Sequence, residues 1–246
     1  MNEFDALAAW YDAFSDPDYY SAYADFVNKT IRERSKIPVA DILDLGCGTC
    51  RLSVLLEKLG YSMVCVDRSA QMLSHARNAS STLLLIEQDI TAFELYGTVQ
   101  CVVSTLDTLN YLLTYSELEK VFALVANYLE SGGLFIFDVN TPYRFSTVYG
   151  NNSFVYERGG DMFVWQNADS ARRHVMDLTL FTQRRDGMYE RFDERQIQRS
   201  YDIKKLSSLL DKAQLKVTAI YGGTDFCPLG ESSEKAYFVT EKKGKQ

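Results

Sequence analysis

The stretch Asp41–Leu52, DILDLGCGTCRL, constrains this chain more than any other. Ile42, Leu43 and Leu45 read as the end of a buried strand. Gly46 and Gly48 supply a turn with no side chains in the way. Leu52, Val54, Leu55, Leu56 and Leu59 then recur at helical spacing. A strand that runs through a glycine turn straight into a helix belongs to an open α/β sheet. In such sheets ligands sit beyond the carboxyl ends of the strands, facing the free N–H groups of the helix start. Asp44, two residues before the first glycine, makes the pattern more specific than glycines alone.

A second strand, Tyr61–Asp67, ends in a carboxylate about twenty residues past the glycines, where both ribose hydroxyls of a nucleotide can be accepted. Asp67 also suits the N-cap of a helix over Ser69–Ala79. DLGCGT with this following Asp resembles motif I of the class I S-adenosylmethionine (SAM)-dependent methyltransferases, and the resemblance extends over nearly the whole chain. It implies SAM as cofactor and S-adenosylhomocysteine (SAH) as product. It also implies that Asp44, Gly46, Cys47 and Gly48 face the methionine end, with Arg68 and Met72 beside Asp67. Asp89, after a third strand Thr82–Ile86, would take the adenine amino group and the Ile90 N–H a ring nitrogen; Asp89 is otherwise a turn residue. In the resembling family an aromatic N-terminal segment closes over the cofactor, and Tyr11 and Tyr20 occupy the positions that reach the methionine end. The same tyrosines also suit packing over the sheet.

The apolar run Val99–Ser104 is a fourth strand, buried on both faces. It opens into STLDTLNYL at the same sheet edge, where the backbone of Ser104 or Thr105 is placed to hold the methionine amino group. Asp107 and Asn110 are candidates to face the substrate, since loop polar residues without a visible structural task are often functional; Asp107 otherwise caps the next helical turn. An amphipathic helix over Ser116–Glu130, ended by Gly132-Gly133, leads to a fifth strand, Leu134–Asp138. Asp138, Asn140 and Tyr143 again emerge at the ligand edge, Tyr143 as a third catalytic candidate. Alternation of β and α to this point implies a parallel sheet.

At Pro142 the pattern changes to period-two alternation. Strands at Phe154–Tyr156 and Met162–Trp165 precede a long hairpin around Asp186-Gly187, read as a two-residue turn. A helix, Asp202–Ala213, and strands Leu215–Tyr221 and Ala236–Thr240 complete the chain. The expected fold is a Rossmann-like, doubly wound, mostly parallel seven-stranded sheet with an antiparallel last strand, plus a small inserted antiparallel sheet. Residues 1–141 and 202–246 form the SAM-binding domain, with 1–36 as a helical cap of two short helices broken at Pro17. Residues 142–201 form the insertion, which covers the active site in the resembling small-molecule methyltransferases.

Composition narrows the function. A net charge of −7 argues against a nucleic-acid binder. No apolar run reaches the ~18 residues of a membrane span, and no signal peptide is visible, so a cytoplasmic protein is expected. Five cysteines, an odd count, fit a reduced compartment. Two isolated histidines offer no metal site.

Two departures from the family pattern stand out. Cys50 replaces a glycine of motif I, which creates Cys47-Gly-Thr-Cys50 at a helix start, where a thiolate is stabilised. Gln196 stands where related sequences carry the histidine of a Glu-x-His pattern, and Gln cannot be a general base. A dinucleotide oxidoreductase wants a third glycine where Arg51 stands. C-x-x-C redox chemistry leaves three strand-end carboxylates unexplained. The expected activity is therefore SAM-dependent methyl transfer to an N or O nucleophile of a small molecule by in-line displacement. The alternative is a non-catalytic SAM-binding regulator, which the two departures motivate.

Overall fold

The computed structural model describes residues 17–80, 82–170 and 173–244. Helix α1 (Pro17–Arg34) opens with proline, whose missing N–H costs nothing at a first helical position. Strand β1 (Asp41–Leu45), helix α2 (Arg51–Lys58), β2 (Ser62–Asp67), α3 (Ala70–Ala79), β3 (Leu84–Glu87) and β4 (Val99–Ser104) follow as β-α repeats. Beyond them come α4 (Tyr115–Tyr128), β5 (Leu129–Asn140) and a second set of strands: β6 (Ser153–Arg158), β7 (Asp161–Ser170), β8 (Arg173–Gln183) and β9 (Tyr189–Arg199). The chain closes with α5 (Ile203–Lys212), β10 (Leu215–Tyr221) and β11 (Lys235–Lys242).

The main sheet is seven-stranded, ordered β10-β11-β5-β4-β1-β2-β3. All pairings are parallel except those of β11, which runs antiparallel to both neighbours. This is the doubly wound α/β fold that the motif order implies. Alternation along the strands divides the core in two. Leu43, Leu45, Phe135 and Phe137 pack against α4 and α5, whereas Ile42, Val103 and Ile136 pack against α1 and α2. The first face holds an aromatic stack: the Phe137 ring lies 4.7 Å from both Phe135 and Phe238, nearly parallel to the latter at 5°.

The second sheet is four-stranded, antiparallel and ordered β6-β7-β8-β9. On β8 the alternate residues Met176, Leu178 and Leu180 are buried and pack with Tyr111, Phe163, Trp165 and Phe192. Tyr111 belongs to a short 3₁₀ turn, Thr108–Tyr111, that follows β4, so this cluster joins the second sheet to the main one.

Local details differ from the sequence reading in four places. The 184–188 connection is not a two-residue turn: Gln183 pairs with Tyr189, and five residues intervene. A two-residue type I′ turn needs positive φ at both central positions, but Gly187 (φ 80) has it and Asp186 does not. The cap of α4 is Thr114, reciprocally bonded with Glu117 in a capping box, so the helix starts at Tyr115 rather than Ser116. Strand β5 begins at Leu129, directly after that helix and ahead of Gly132-Gly133. Asp67 is not the cap of α3; Ser69 is, accepting from the Met72 N–H. Among the described residues no helix is long and apolar enough to cross a membrane.

Removing the centre of the aromatic stack leaves a void that rigid strands cannot close. Phe137→Ala is expected to lower unfolding free energy by about 3–5 kcal/mol in urea titration. Tyr156→Ala, on an exposed position of β6, is expected to change it by under about 0.5 kcal/mol.

Candidate active site

The site is built where β1, β2 and β4 stop. Asp44 shares the face of Ile42, so it points toward α2. There the Ser53 hydroxyl donates to its Oδ2 at 2.5 Å, while Oδ1 is buried with no partner among the described residues. Burial pushes the Asp44 carboxyl up to about 8, and Cys65, its register neighbour on β2, adds to the rise. The turn that follows needs its glycines. Gly46 has φ +74, and a Cβ there would lie 2.3 Å from Thr108 Cγ2. Gly48 has φ +54, and a Cβ there would meet nothing within 4 Å, so its backbone borders open space.

The turn is tied to the end of β2. Gly46 and Cys47 N–H groups donate to the Val66 carbonyl at 2.8 and 3.1 Å. The Gly48 N–H donates to Asp67 Oδ2 at 2.8 Å, and the Ser69 N–H to Oδ1 at 2.9 Å. A carboxylate offers about four lone-pair directions; these bonds take two, and the Arg68 N–H draws on the same carboxylate. Desolvation raises the Asp67 pKa, against the pull of its backbone donors.

A cavity of about 400 Å³ begins at this edge and continues beneath the second sheet. Asp44, Gly46, Gly48 and Asp67 line it at one end, and Cys47, Arg68 and Met72 lie beside them. Asp89 and Ile90 also line it. Asp89 is exposed, and its Oδ1 accepts from the Thr91 N–H and hydroxyl at 2.7 Å, so it is a turn residue whatever else it does. Tyr20 is buried at the wall, with the Arg51 guanidinium 4.5 Å over its ring. Tyr11 lies outside the described residues. Thr105 lines the cavity, but Ser104 does not: it is fully buried, and its hydroxyl donates to the Leu45 carbonyl at 2.9 Å.

The far end of the cavity is largely aromatic and apolar, with the Glu117 carboxylate also in its lining. Tyr111, Phe163, Trp165, Met176 and Leu178 form its walls. Gln196 lies among them, accepting from the Tyr111 hydroxyl at 2.7 Å and donating to Glu194 at 2.6 Å. The Trp165 indole N–H is buried without a partner among the described residues. Of the three residues read as catalytic, Asp107 lines this cavity and the other two do not. Asn110 is fully buried; its Oδ1 accepts from the Asn140 N–H and its Nδ2 donates to the Arg199 carbonyl, both at 2.8 Å. It therefore joins β5 to β9. Tyr143 is half-buried outside the cavity, and Tyr149, on the following π-helical segment Arg144–Tyr149, reaches it instead.

A buried ionic network holds the cavity wall. Lys235 Nζ donates to Asp138 Oδ2 at 2.6 Å and to Asp107 Oδ1 at 3.0 Å. Asp138 also accepts from the Tyr23 hydroxyl at 2.8 Å and from the Leu106 and Asp107 N–H groups at 2.7 and 3.0 Å. Leu106 and Asp107 both sit at φ 57, a costly backbone for residues with side chains. Two N–H groups gripped by one carboxylate keep them there. Gln198 on β9 donates to Asp107 Oδ2, which brings the second sheet into the network. Burial opposes the Lys235 charge, but Asp107 and Asp138 outweigh it and hold the pKa well above the ordinary value. Lys235, Gln198 and Trp165 were not singled out in the sequence. The one signal was spacing: Gln196 and Gln198 share a strand face, as do Phe163 and Trp165.

These donors and acceptors fit SAM. The acceptor capacity left on Asp67 suits a ribose hydroxyl, and the Gly48 backbone borders open space. The unpaired Asp44 oxygen suits a hydrogen-bond donor.

Known proteins give the same fold and family. The family described as a methyltransferase domain matches residues 42–133. A Geobacillus sp. (strain WCH70) protein named as a putative methyltransferase is 32% identical over 97% of this chain and 99% of its own. The crystal structure of a SAM-dependent methyltransferase from Clostridium acetobutylicum aligns with TM-score 0.86 and 28% identity, over 97% of this chain and 96% of that one. A Streptomyces venezuelae dTDP-3-amino-3,4,6-trideoxy-alpha-D-glucopyranose N,N-dimethyltransferase is 28% identical over 63% of this chain and 58% of its own.

Two outcomes test the site's electrostatics. Lys235→Met leaves Asp138 and Asp107 facing each other without a cation, and chemical denaturation is expected to show a loss of about 3–5 kcal/mol. Asp44 keeps its proton in the folded state up to about 8, against 3.8 ordinarily. Its contribution is therefore full below 3.8 and is lost as pH rises through about 8. Unfolding free energy should carry that downward slope across the window, and Asp44→Asn should flatten it.

Proposed function

We propose a specific reaction for this chain, which belongs to the class I SAM-dependent methyltransferases: transfer of the SAM methyl group to a nitrogen nucleophile of a small molecule by in-line displacement. The observation that carries the reading is the continuity of the cavity, which runs from the strand-end carboxylates to the aromatic chamber under the second sheet. When bound, SAM supplies a methyl group on a positively charged sulfur. We assign Asp67 to the ribose hydroxyls, Asp89 and the Ile90 N–H to the adenine, and the Gly46–Gly48 turn with Asp44 and Thr105 to the methionine end. Tyr20 covers that end from α1. Residues 142–201 act as an inserted roof on a SAM-binding domain formed by the rest.

The roof sets acceptor geometry. Trp165, Phe163, Met176 and Leu178 exclude water and present flat apolar faces. The Trp165 N–H, Gln196 and Tyr111 offer neutral hydrogen bonds to fix orientation. Holding donor and acceptor in line at contact distance can lower a barrier by about 7–11 kcal/mol, which leaves little for acid–base chemistry to do.

The choice of nitrogen over oxygen rests on the proton. A neutral amine attacks with its own lone pair and releases its proton afterwards. A hydroxyl needs a base as it attacks. Both oxygens of Asp107 are already engaged, by Lys235 and Gln198, Gln196 cannot accept a proton at neutral pH, and Glu117, the other carboxylate in this part of the lining, is tied through Oε2 to the Thr114 cap of α4. The Streptomyces venezuelae relative is named as an N,N-dimethyltransferase of an amino sugar, which favours the same atom.

A panel of small primary and secondary amines, alcohols and phenols, assayed with SAM for SAH and methylated product, tests this choice. Amines are expected to turn over and alcohols are not; turnover of alcohols alone would contradict it. Asp67→Ala is expected to weaken SAH binding at least about tenfold, a loss near 1.4 kcal/mol by calorimetry. Trp165→Ala should raise the KM of an active acceptor while leaving SAH affinity within error. Unchanged affinity in Asp67→Ala would remove the ribose assignment.

A further inference from the structure

The cofactor turn holds a thiol cluster that methyl transfer does not use. Cys47 is half-buried and lines the cavity, whereas Cys50 and Cys65 are fully buried behind it. Cys50 is the N-cap of α2 in a left-handed conformation, φ 61 and ψ 25, that favours glycine. A cysteine there is costly for the backbone and makes no capping bond through its side chain. The Cys50 N–H donates to the Cys47 carbonyl at 2.9 Å. That bond closes a β-turn, whose end Cα atoms lie within about 7 Å. A disulfide spans about 4.4–6.8 Å between Cα atoms. Both sulfurs already lie against the same atom, the Gly48 carbonyl oxygen, at 3.9 and 4.0 Å.

We propose that Cys47 and Cys50 form an oxidative modification site that takes a small hydroperoxide through the cofactor cavity and closes to a disulfide across the SAM-binding turn. Cys47 reacts first, because it alone of the pair borders the cavity. Its thiolate attacks one peroxide oxygen, the O–O bond breaks, and the alcohol leaves with a proton. The Cys50 sulfur then attacks the Cys47 sulfenic acid, the S–O bond breaks, and the hydroxyl leaves as water with the Cys50 proton. Two thiols are oxidised and one hydroperoxide is reduced to alcohol and water. An added dithiol reverses the step and is itself oxidised. Burial pushes the Cys47 thiol up, so the reaction quickens as pH rises.

The linkage draws the Cys47 sulfur off the cavity wall and locks residues 47–50, whose Gly48 N–H is held by Asp67. Cofactor binding and oxidation then oppose each other. SAH in the cavity shields Cys47, and the disulfide weakens SAH binding by roughly 5- to 150-fold, the usual range of coupling between sites. This effect on binding rests on the reading of the cavity as the SAM site; the linkage itself does not.

The test treats the full-length reduced protein with tert-butyl hydroperoxide, with and without saturating SAH, and maps linkages by mass spectrometry after thiol alkylation. The expected result is a Cys47–Cys50 linkage that SAH slows, that a dithiol reverses, and that Cys65→Ser retains while Cys50→Gly abolishes. Calorimetry should show SAH affinity falling on oxidation in the wild type and not in Cys50→Gly. A linkage to Cys65 instead, or no linkage, overturns the site. A linkage with unchanged SAH affinity overturns the coupling. Failure of the reduced protein to bind SAH counts against the cofactor reading and leaves the linkage result standing.

Discussion

The Asp138 carboxylate is the constraint on which the site's shape depends. It emerges from β5 into a fully buried position and must be matched there, because an unpaired buried charge is expensive. Four groups match it: the Lys235 ammonium from β11, the Tyr23 hydroxyl from α1, and two successive N–H groups after β4. They come from three separate parts of the chain. One carboxylate thereby fixes the N-terminal helix, the sheet edge and the strained loop at Leu106 and Asp107 relative to one another. Lys235 passes the constraint to Asp107, and Gln198 passes it on to the second sheet. The distance between the cofactor turn and the roof is set by this chain of contacts.

The network also explains the chemistry of the cavity. Asp107 looks like a base in isolation, but both its oxygens are taken, one by Lys235 and one by Gln198. With both its oxygens engaged, the walls around it are mainly aromatic and apolar, whereas Asp44, Asp67 and Asp89 gather at the strand-end side. The separation suits a reaction in which the leaving group is already activated and the protein's task is alignment. Gln196, at the position where the resembling family's pattern has histidine, is hydrogen-bonded to Tyr111 and Glu194, and an amide cannot accept a proton near neutral pH.

The main sheet was legible because its signals are local. Glycines flank β1, an acid ends β2, and apolar runs mark the central strands; each follows from chain geometry without tertiary knowledge. Asp44, Asp67 and Asp89 were visible for the same reason and do line one cavity. The remainder of the site was not legible. Period-two alternation showed that β8 has a buried face, but not that Met176 and Leu178 would meet Tyr111 from the 3₁₀ turn after β4. Lys235 reads as an ordinary surface lysine beside Glu234 until β11 sets it opposite Asn140 and against two acids. Asn110 and Tyr143 were read as functional because they are polar and follow strand ends. Asn110 instead satisfies buried backbone groups, a task that sequence does not display.

The most direct test of a single cavity serving donor and acceptor is backbone hydrogen exchange on adding SAH. The account predicts slowed exchange at residues 46–50, at Ser69 and Ile90, and in the 105–108 loop, with β10 unchanged. Slowed exchange confined to other surfaces, with 46–50 unaffected at saturating SAH, would contradict it.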